Sequence, residues 1–285
     1  MPGTLYIVST PIGNLADISF RAVSTLKEVD LIAAEDTRVT HNILARYEIT
    51  TPTTPYHQHS LDRKTRQLIE MLVAGKNIAL VSDAGTPGIS DPGYEIIQEA
   101  IRSEIPVVAI PGPNAIITAL VVSGLPTWRF AFDGFPPRRP GDRRAFFKSL
   151  EGEPRTMVFY ESPLRLPACL KDMLTVLGDR RIAVVREATK MFEEVHRGTI
   201  VSAIERFGTG ERVKGEITIV LEGIELVPQA PTSDEVDAAI RQMLESGISE
   251  RDTVKEVAKK FQLPKREVYR RVLNTEVSFS SREAG

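Results

Sequence analysis

Four short apolar, β-branched runs at residues 5–10, 29–36, 78–83 and 107–111 alternate with amphipathic stretches through the first 124 residues. No other feature constrains the fold as much, because an apolar run without polar alternation must be covered on both faces. Such strands pair in parallel when helices join them, so the pattern predicts a βαβ series. Helices are expected at 19–28 with Ser19 as N-cap, at 39–48, at 62–74 stopped by Gly75, and at 92–103 after Asp91. A helix apolar nearly throughout, at 114–123, ends where Gly124 suits a C-cap and Pro126 prevents continuation, which sets the first domain as 1–124.

A second α/β domain is expected at 125–227. It begins with a strand at 130–135 and a Pro/Arg loop, then a strand at 156–160, a helix at 164–177, and strands at 182–187, 195–200 and 216–221. After a Pro-containing linker at 227–231 the pattern becomes helical only, at 234–245, 250–261 and 265–273, which predicts a helical tail at 228–285. A chain of 285 residues fits two main domains at roughly 150 residues each. With 36 Lys and Arg against 38 Asp and Glu, the net charge of −2 excludes a uniformly basic nucleic-acid coat and leaves only local patches. The single cysteine, Cys169, excludes an internal disulfide and any multi-cysteine metal site, and reads as core. No run approaches the roughly 18 apolar residues of a membrane helix, and no basic segment precedes an apolar start, so a soluble, cytoplasmic protein without a membrane partner is expected.

Ligands of open parallel sheets bind beyond the carboxyl ends of the strands, so the strand-ending loops are examined first. They read STPIGNL at 9–15, AEDTR at 34–38, SDAGTPGISDPG at 82–93 and IPGPNA at 110–115. Neither G-x-G-x-x-G nor G-K-[ST] occurs among them, which argues against a dinucleotide fingerprint and a P-loop. Backbone amides, small apolar side chains and Asp83 suit an adenosine or amino-acid ligand better than a triphosphate. His57 and His59 lack a nearby third ligand, so no metal is assigned; a polar surface turn or an RNA-approaching loop is expected there.

These four loops, together with FYESP at 159–163 and EATK at 187–190 followed by Phe192, Glu193 and Glu194, resemble the ribosomal RNA small-subunit methyltransferase I family of the tetrapyrrole methylases. The resemblance spans about residues 4–223. It implies a fold of two α/β domains of the class III methyltransferase type, here followed by a small helical module, and a homodimer. It further implies S-adenosylmethionine as cofactor and the ribose 2′-hydroxyl of a decoding-site cytidine in 16S ribosomal RNA, or the small subunit that contains it, as substrate. Carried onto this chain, Pro11, Asp83, Ala84, Gly85, Thr86, Asn114 and Ala115 line the cofactor, and Tyr160 closes the cleft.

Methyl transfer is an in-line displacement in which positioning does most of the work, helped by a base or nearby cation that draws off the hydroxyl proton. Glu35, Asp36 and Lys190 are the catalytic candidates, with Glu161 and Glu187 as further ones, and the residues alone do not select among them. For RNA, residues 138–148 hold five cations, Arg138, Arg139, Arg143, Arg144 and Lys148, against one acid. The tail reads as a helix-turn-helix whose second helix carries Lys265, Arg266, Arg270 and Arg271, and residues 249–276 hold eight cations against five acids. Two other functions are compatible with the fold: a tetrapyrrole-precursor methylase, which needs neither basic segment, and a non-catalytic nucleic-acid-binding regulator that senses a small ligand.

Overall fold

A computed structural model describes residues 1–57, 61–208, 214–225 and 232–280, so His59 and the linker at 227–231 lie outside the described residues. The chain divides into two compact units, Met1–Ile224 and Glu225–Gly285.

The first unit carries two five-stranded sheets. Strands β1 (Leu5–Val8), β2 (Leu31–Ala34), β3 (Thr53–Pro55), β4 (Ile78–Val81) and β5 (Val107–Ile110) form the first, in the order β3-β2-β4-β1-β5. All four of its pairings are parallel, as the run of apolar strands predicts. The exception to the prediction is β3, which has no apolar run to announce it; it is a three-residue edge strand ending in Pro55, where a missing N–H costs no ladder bond. Helices α1 (Phe20–Glu28), α2 (Thr37–Arg46), α3 (Leu61–Val73) and α4 (Tyr94–Arg102) cover this sheet. Successive strand residues feed opposite cores. Leu5, Ile7, Ile78 and Leu80 pack with Leu68, Leu72 and Ile96, whereas Val8, Ala79 and Val81 pack with Ala22, Leu26 and Leu44.

Helix α5 (Ala115–Ser123) leads to the second sheet, of β6 (Phe130–Phe132), β7 (Thr156–Glu161), β8 (Arg181–Arg186), β9 (Glu194–Thr199) and β10 (Ile217–Leu221). Its order is β6-β7-β10-β8-β9, with only β6 and β7 parallel. One face packs against α6 (Pro140–Ser149), α7 (Leu166–Leu177) and α8 (Ile200–Phe207) through Phe147, Phe159, Leu170 and Ile219. The other face packs against α5, through Ile116, Ala119 and Leu120 on Val158, Ala183, Val185 and Val220. The helix expected to close the first domain therefore belongs, by packing, to the second sheet, and its other side leaves Ile117 and Val121 exposed. A second correction concerns the Pro/Arg loop: most of it is α6, with Pro140 in its first turn, where the missing N–H would have no intrahelical partner anyway.

The second unit is a three-helix module of α9 (Ser233–Glu245), α10 (Glu250–Phe261) and α11 (Lys265–Ser280) around Val236, Ile240, Val257, Val268 and Val272. Thr232 and Glu235 form a capping box on α9, Ser249 caps α10, and Gln262 turns left-handed between α10 and α11. Expressed alone, residues 225–285 should give helical circular dichroism and a cooperative thermal transition; a non-cooperative melt would show that the module needs the rest of the chain. Among the described residues no helix is long and apolar enough to cross a membrane.

Candidate active site

Strands β1 and β4 are neighbours, yet the chain leaves β1 toward β2 on one side and leaves β4 toward β5 on the other. Their carboxyl ends open a crevice at this topological switch point. The two loops are stitched together across it. Thr10 and Gly85 exchange backbone hydrogen bonds of 2.8 and 3.1 Å, the Ser9 and Thr86 hydroxyls lie 2.9 Å apart, and the Thr10 hydroxyl donates to the Ser82 carbonyl at 3.0 Å. In the fourth loop Asn114 caps α5, its Oδ1 accepting from the N–H groups of Ile116 and Ile117 at 3.0 and 3.2 Å.

Between these loops and the end of the second sheet lies a cavity of about 340 Å³. Ala84, Gly85, Thr86, Asn114, Ala115 and Tyr160, all expected to touch a cofactor, line it. Two further expected residues do not. Ile12 lines the wall in place of Pro11, and Asp83 turns toward the β2 tip, where its Oδ1 accepts the Asp36 N–H at 3.0 Å. Residues that the sequence reading did not single out complete the wall: Asp91 from the third loop, Phe135 after β6, and Glu216 and Thr218 at β10. Phe132 and Phe135 contact the Tyr160 ring, with centroids 4.9 and 5.5 Å away.

The acidic strand tip is differentiated by its contacts. Asp36 caps α2 and pairs with Arg38 at 2.6 Å; that bonding holds it at about 2, and it is not among the cavity-lining residues. A carboxylate so firmly ionised is a poor proton acceptor, which counts against Asp36 as the base. Glu35 accepts the Asp83 N–H at 3.4 Å, and burial first, then the charges of Asp83 and Asp36, raise its pKa. Asp91 is pushed up to about 7 by burial first and by Glu35 and Asp83, against the opposing Ser82 hydroxyl. Burial and the nearby Asp91 and Glu216 push Tyr160 up to about 12.

Lys190 lies 2.8 Å from Glu187 and 3.1 Å from the cavity-lining Glu216. Burial alone would lower its pKa, but the two carboxylates outweigh that and raise it, so it is a fixed cation rather than a base. The EATK segment reaches this place through left-handed Glu187 (φ 52°) and Thr189 (φ 68°) and lies against the first loop, where the Thr189 hydroxyl accepts the Asn14 N–H at 3.1 Å. A Cβ on Gly13 would stand 2.4 Å from Lys190 Cγ, so only glycine leaves room for the lysine stem.

The expected RNA contacts separate into free and engaged cations. Arg138 and Arg139 are exposed and form no ion pair among the described residues. Arg143 is buried, its guanidinium 2.6 Å from Asp172, so it joins α6 to α7 and cannot reach a phosphate. Arg144 leans on the same Asp172 at 3.3 Å, and Lys148 pairs with Glu151 at 2.6 Å, both still largely exposed. In the tail Lys265, Arg266 and Arg270 are exposed, whereas Arg271 is spent on Asp237, Glu267 and Ser233 and ties α11 to α9. Among the described residues no group of three or more His, Cys, Asp or Glu is arranged to hold a metal.

Residues 4–203 match the family model described as Tetrapyrrole (Corrin/Porphyrin) Methylases. A protein of Synechocystis sp. named Ribosomal RNA small subunit methyltransferase I is 45% identical over 96% of this chain and 99% of its own length. Its namesake from Streptococcus pyogenes serotype M3 is 44% identical over 94% and 93%. This chain belongs to that methyltransferase family. The fold agrees: uroporphyrin-III C-methyltransferase from Thermus thermophilus, solved with S-adenosyl homocysteine, superposes with a TM-score of 0.56 at 20% identity, over 76% of this chain and 97% of that one.

Proposed function

We propose that the protein transfers a methyl group from S-adenosylmethionine to the ribose 2′-hydroxyl of a decoding-site cytidine in 16S ribosomal RNA. The observation that carries the donor is the lining of the cavity. It includes Asp91, Glu161 and Glu216 and no Lys or Arg; Glu161 is ion-paired with Arg165 at 2.6 Å and Glu216 with Lys190 at 3.1 Å, which leaves Asp91 to face a cationic sulfonium and no free cation in the lining for a phosphate. Its volume lies in the range of small-molecule sites, and Gly85, left-handed at φ 81°, keeps open the space a side chain would fill. When bound, the donor supplies an electrophilic methyl. The chain's own residues hold and align: Thr86, Asn114 and Ala115 bound the donor site from the first sheet's side, Tyr160 and Phe135 from the second, and Lys190 fixes Glu216 of the lining.

The names of the relatives support ribosomal RNA of the small subunit as substrate, and Arg138, Arg139, Lys265, Arg266 and Arg270 are the exposed cations best suited to its phosphates. The ribosomal reading is preferred to the tetrapyrrole-precursor one because the relatives at 44–45% identity carry the ribosomal name, whereas the uroporphyrin methyltransferase shares the fold at 20% identity. The exposed apolar residues Ile117 and Val121 on α5 support self-association into a homodimer, and a ribosomal substrate supports work in the cytoplasm.

Mapping ribose methylation in small-subunit RNA from cells with and without the protein tests the reading. Loss of one 2′-O-methyl at a decoding-site cytidine is expected, and an unchanged map would overturn it. Neutralising Arg138 and Arg139 together should weaken RNA binding and flatten its salt dependence by a slope of roughly 1.4, from about 0.7 per phosphate. Donor affinity, measured by calorimetry, should stay the same.

A further inference from the structure

The third loop spends backbone strain to reach the cavity. Residues 88–93 turn through three left-handed positions, Gly88 (φ 84°), Ser90 (φ 64°) and Gly93 (φ 150°). A Cβ at Gly93 would stand 3.0 Å from Leu80 and 3.1 Å from the Gly88 nitrogen, so the path closes only with glycine there. Ser90 has no such excuse, and a non-glycine residue held left-handed beside a cavity marks a position that the surroundings impose. What this path presents to the cavity is Asp91. It is not the cap of α4, a role that falls to Gly93.

We propose that Asp91 is the catalytic base that accepts the proton of the substrate hydroxyl, an inference that rests on the hydroxyl-methylating function proposed above. The groups facing it are Glu35 from the β2 end, Ser82 and Asp83 from the β4 end, and Tyr160 from β7, with Glu161 at the end of β7 and Glu216 just before β10 lining the same cavity; no lysine or arginine lines it. Burial among carboxylates makes Asp91 a stronger base than an ordinary aspartate, with a pKa of about 7, near the working pH at which a general base is most effective. The competing groups are committed elsewhere: Asp36 to Arg38, Glu35 to the Asp83 N–H, Glu161 to Arg165 at 2.6 Å, and Glu187 and Glu216 to Lys190, itself a fixed cation. In the transfer the hydroxyl oxygen bonds to the methyl carbon as the sulfur–methyl bond breaks, and that bond's electron pair stays on sulfur. The hydroxyl proton passes to the Asp91 carboxylate, which ends neutral and returns it to water.

Three measurements on full-length Asp91→Asn and Asp91→Glu test this. With ribosomal substrate, kcat of the wild type should show an acid limb near pH 7, and kcat of Asp91→Asn should fall about 100-fold or more, with KM little changed, and lack that limb. Asp91→Glu should recover part of kcat together with the limb. By calorimetry, S-adenosylhomocysteine, whose sulfur is uncharged, should bind Asp91→Asn and wild type within about twofold, and S-adenosylmethionine should lose far less affinity than kcat loses rate. In aspartate-labelled protein without substrate, carbon NMR should show one carboxyl titrating near 7 that Asp91→Asn lacks. Retained kcat and acid limb in Asp91→Asn would overturn the inference while leaving the methylation reading intact. A loss of S-adenosylmethionine affinity as large as the loss of rate, with S-adenosylhomocysteine unaffected, would overturn it in favour of an electrostatic hold on the donor. A wild type that leaves ribose unmethylated would remove the reading and the inference together.

Discussion

Arg143→Ala is expected to lower stability by about 3–5 kcal/mol and to leave the RNA affinity of the folded protein unchanged. The guanidinium is 4% exposed and its partner Asp172 is 13% exposed, with Nη2 2.6 Å from Asp172 Oδ2 and Nε donating to the same oxygen at 2.8 Å. A second donation, from Nη1 to the Arg138 carbonyl at 3.3 Å, fixes the start of α6. Truncating Arg143 leaves a buried carboxylate with only Arg144 at 3.3 Å to compensate it, and an uncompensated buried charge is the costly outcome. In a domain of this size the loss corresponds to a fall in melting temperature of roughly 10 °C. Because a well-packed apolar pair can replace a buried ion pair at little cost, the double variant Arg143→Met, Asp172→Leu should recover most of it. Calorimetric melting of the three variants, with RNA titration of each below its transition, separates this structural role from the phosphate role first expected of Arg143. A single variant that melts like the wild type yet binds RNA weakly would restore the phosphate role.

The Arg143 case shows where the sequence was informative and where it was not. Strand runs were legible because burial writes itself as runs rich in Val, Ile, Leu and Ala, and four of the five strands of the first sheet are found where such runs stand, although Val108 and Ala109 of the edge strand β5 are exposed. The fifth, β3, owes its place to pairing with β2 alone, a long-range fact that three residues ending in Pro55 do not encode. Charge was legible as composition and illegible as contact. Residues 138–148 read as a basic loop, but Pro140 starts a helix, and helical spacing turns Arg143 inward beside Phe147 while leaving Arg144 outside. Arg271 repeats the lesson in the tail.

Within the site, loops announced themselves through Gly, Pro and Asn, and Ala84, Gly85, Thr86, Asn114 and Ala115, expected at the cofactor, do line the cavity. Which carboxylate faces the cavity depends instead on backbone dihedrals and on the company each side chain keeps. At the strand tips Asp83 accepts the Asp36 N–H and Asp36 pairs with Arg38, whereas Asp91 is left at the wall. The signal that was available was the spacing of Gly88 and Gly93 around an Asp-Pro pair, which marks a sharply bent loop without saying which side chain it aims.

That placement has a thermodynamic consequence: Asp91→Asn should be more stable than the wild type by about 2 kcal/mol at pH 8 and no different at pH 3. An aspartate whose folded pKa is raised from 3.8 to about 7 binds its proton more tightly when folded. Its stabilising contribution is therefore complete below pH 3.8 and is lost as the pH climbs through 7, above which the folded protein must hold a poorly solvated charge. A shift of that size corresponds to about 4 kcal/mol, reduced to about 2 kcal/mol because Asp91 keeps partial contact with water. Asparagine has the shape of the protonated acid and no charge to lose, so its advantage should appear between pH 4 and 7 and then level off. Thermal or urea unfolding of both proteins across that range measures the difference directly. If the variant instead melts below the wild type at pH 8, the carboxylate has a stabilising partner in the folded state, and its strained loop serves the fold. If it gains stability while losing turnover, the raised pKa is a cost that the active site imposes on the protein, retained because the ionisable carboxylate at that wall is what the reaction uses.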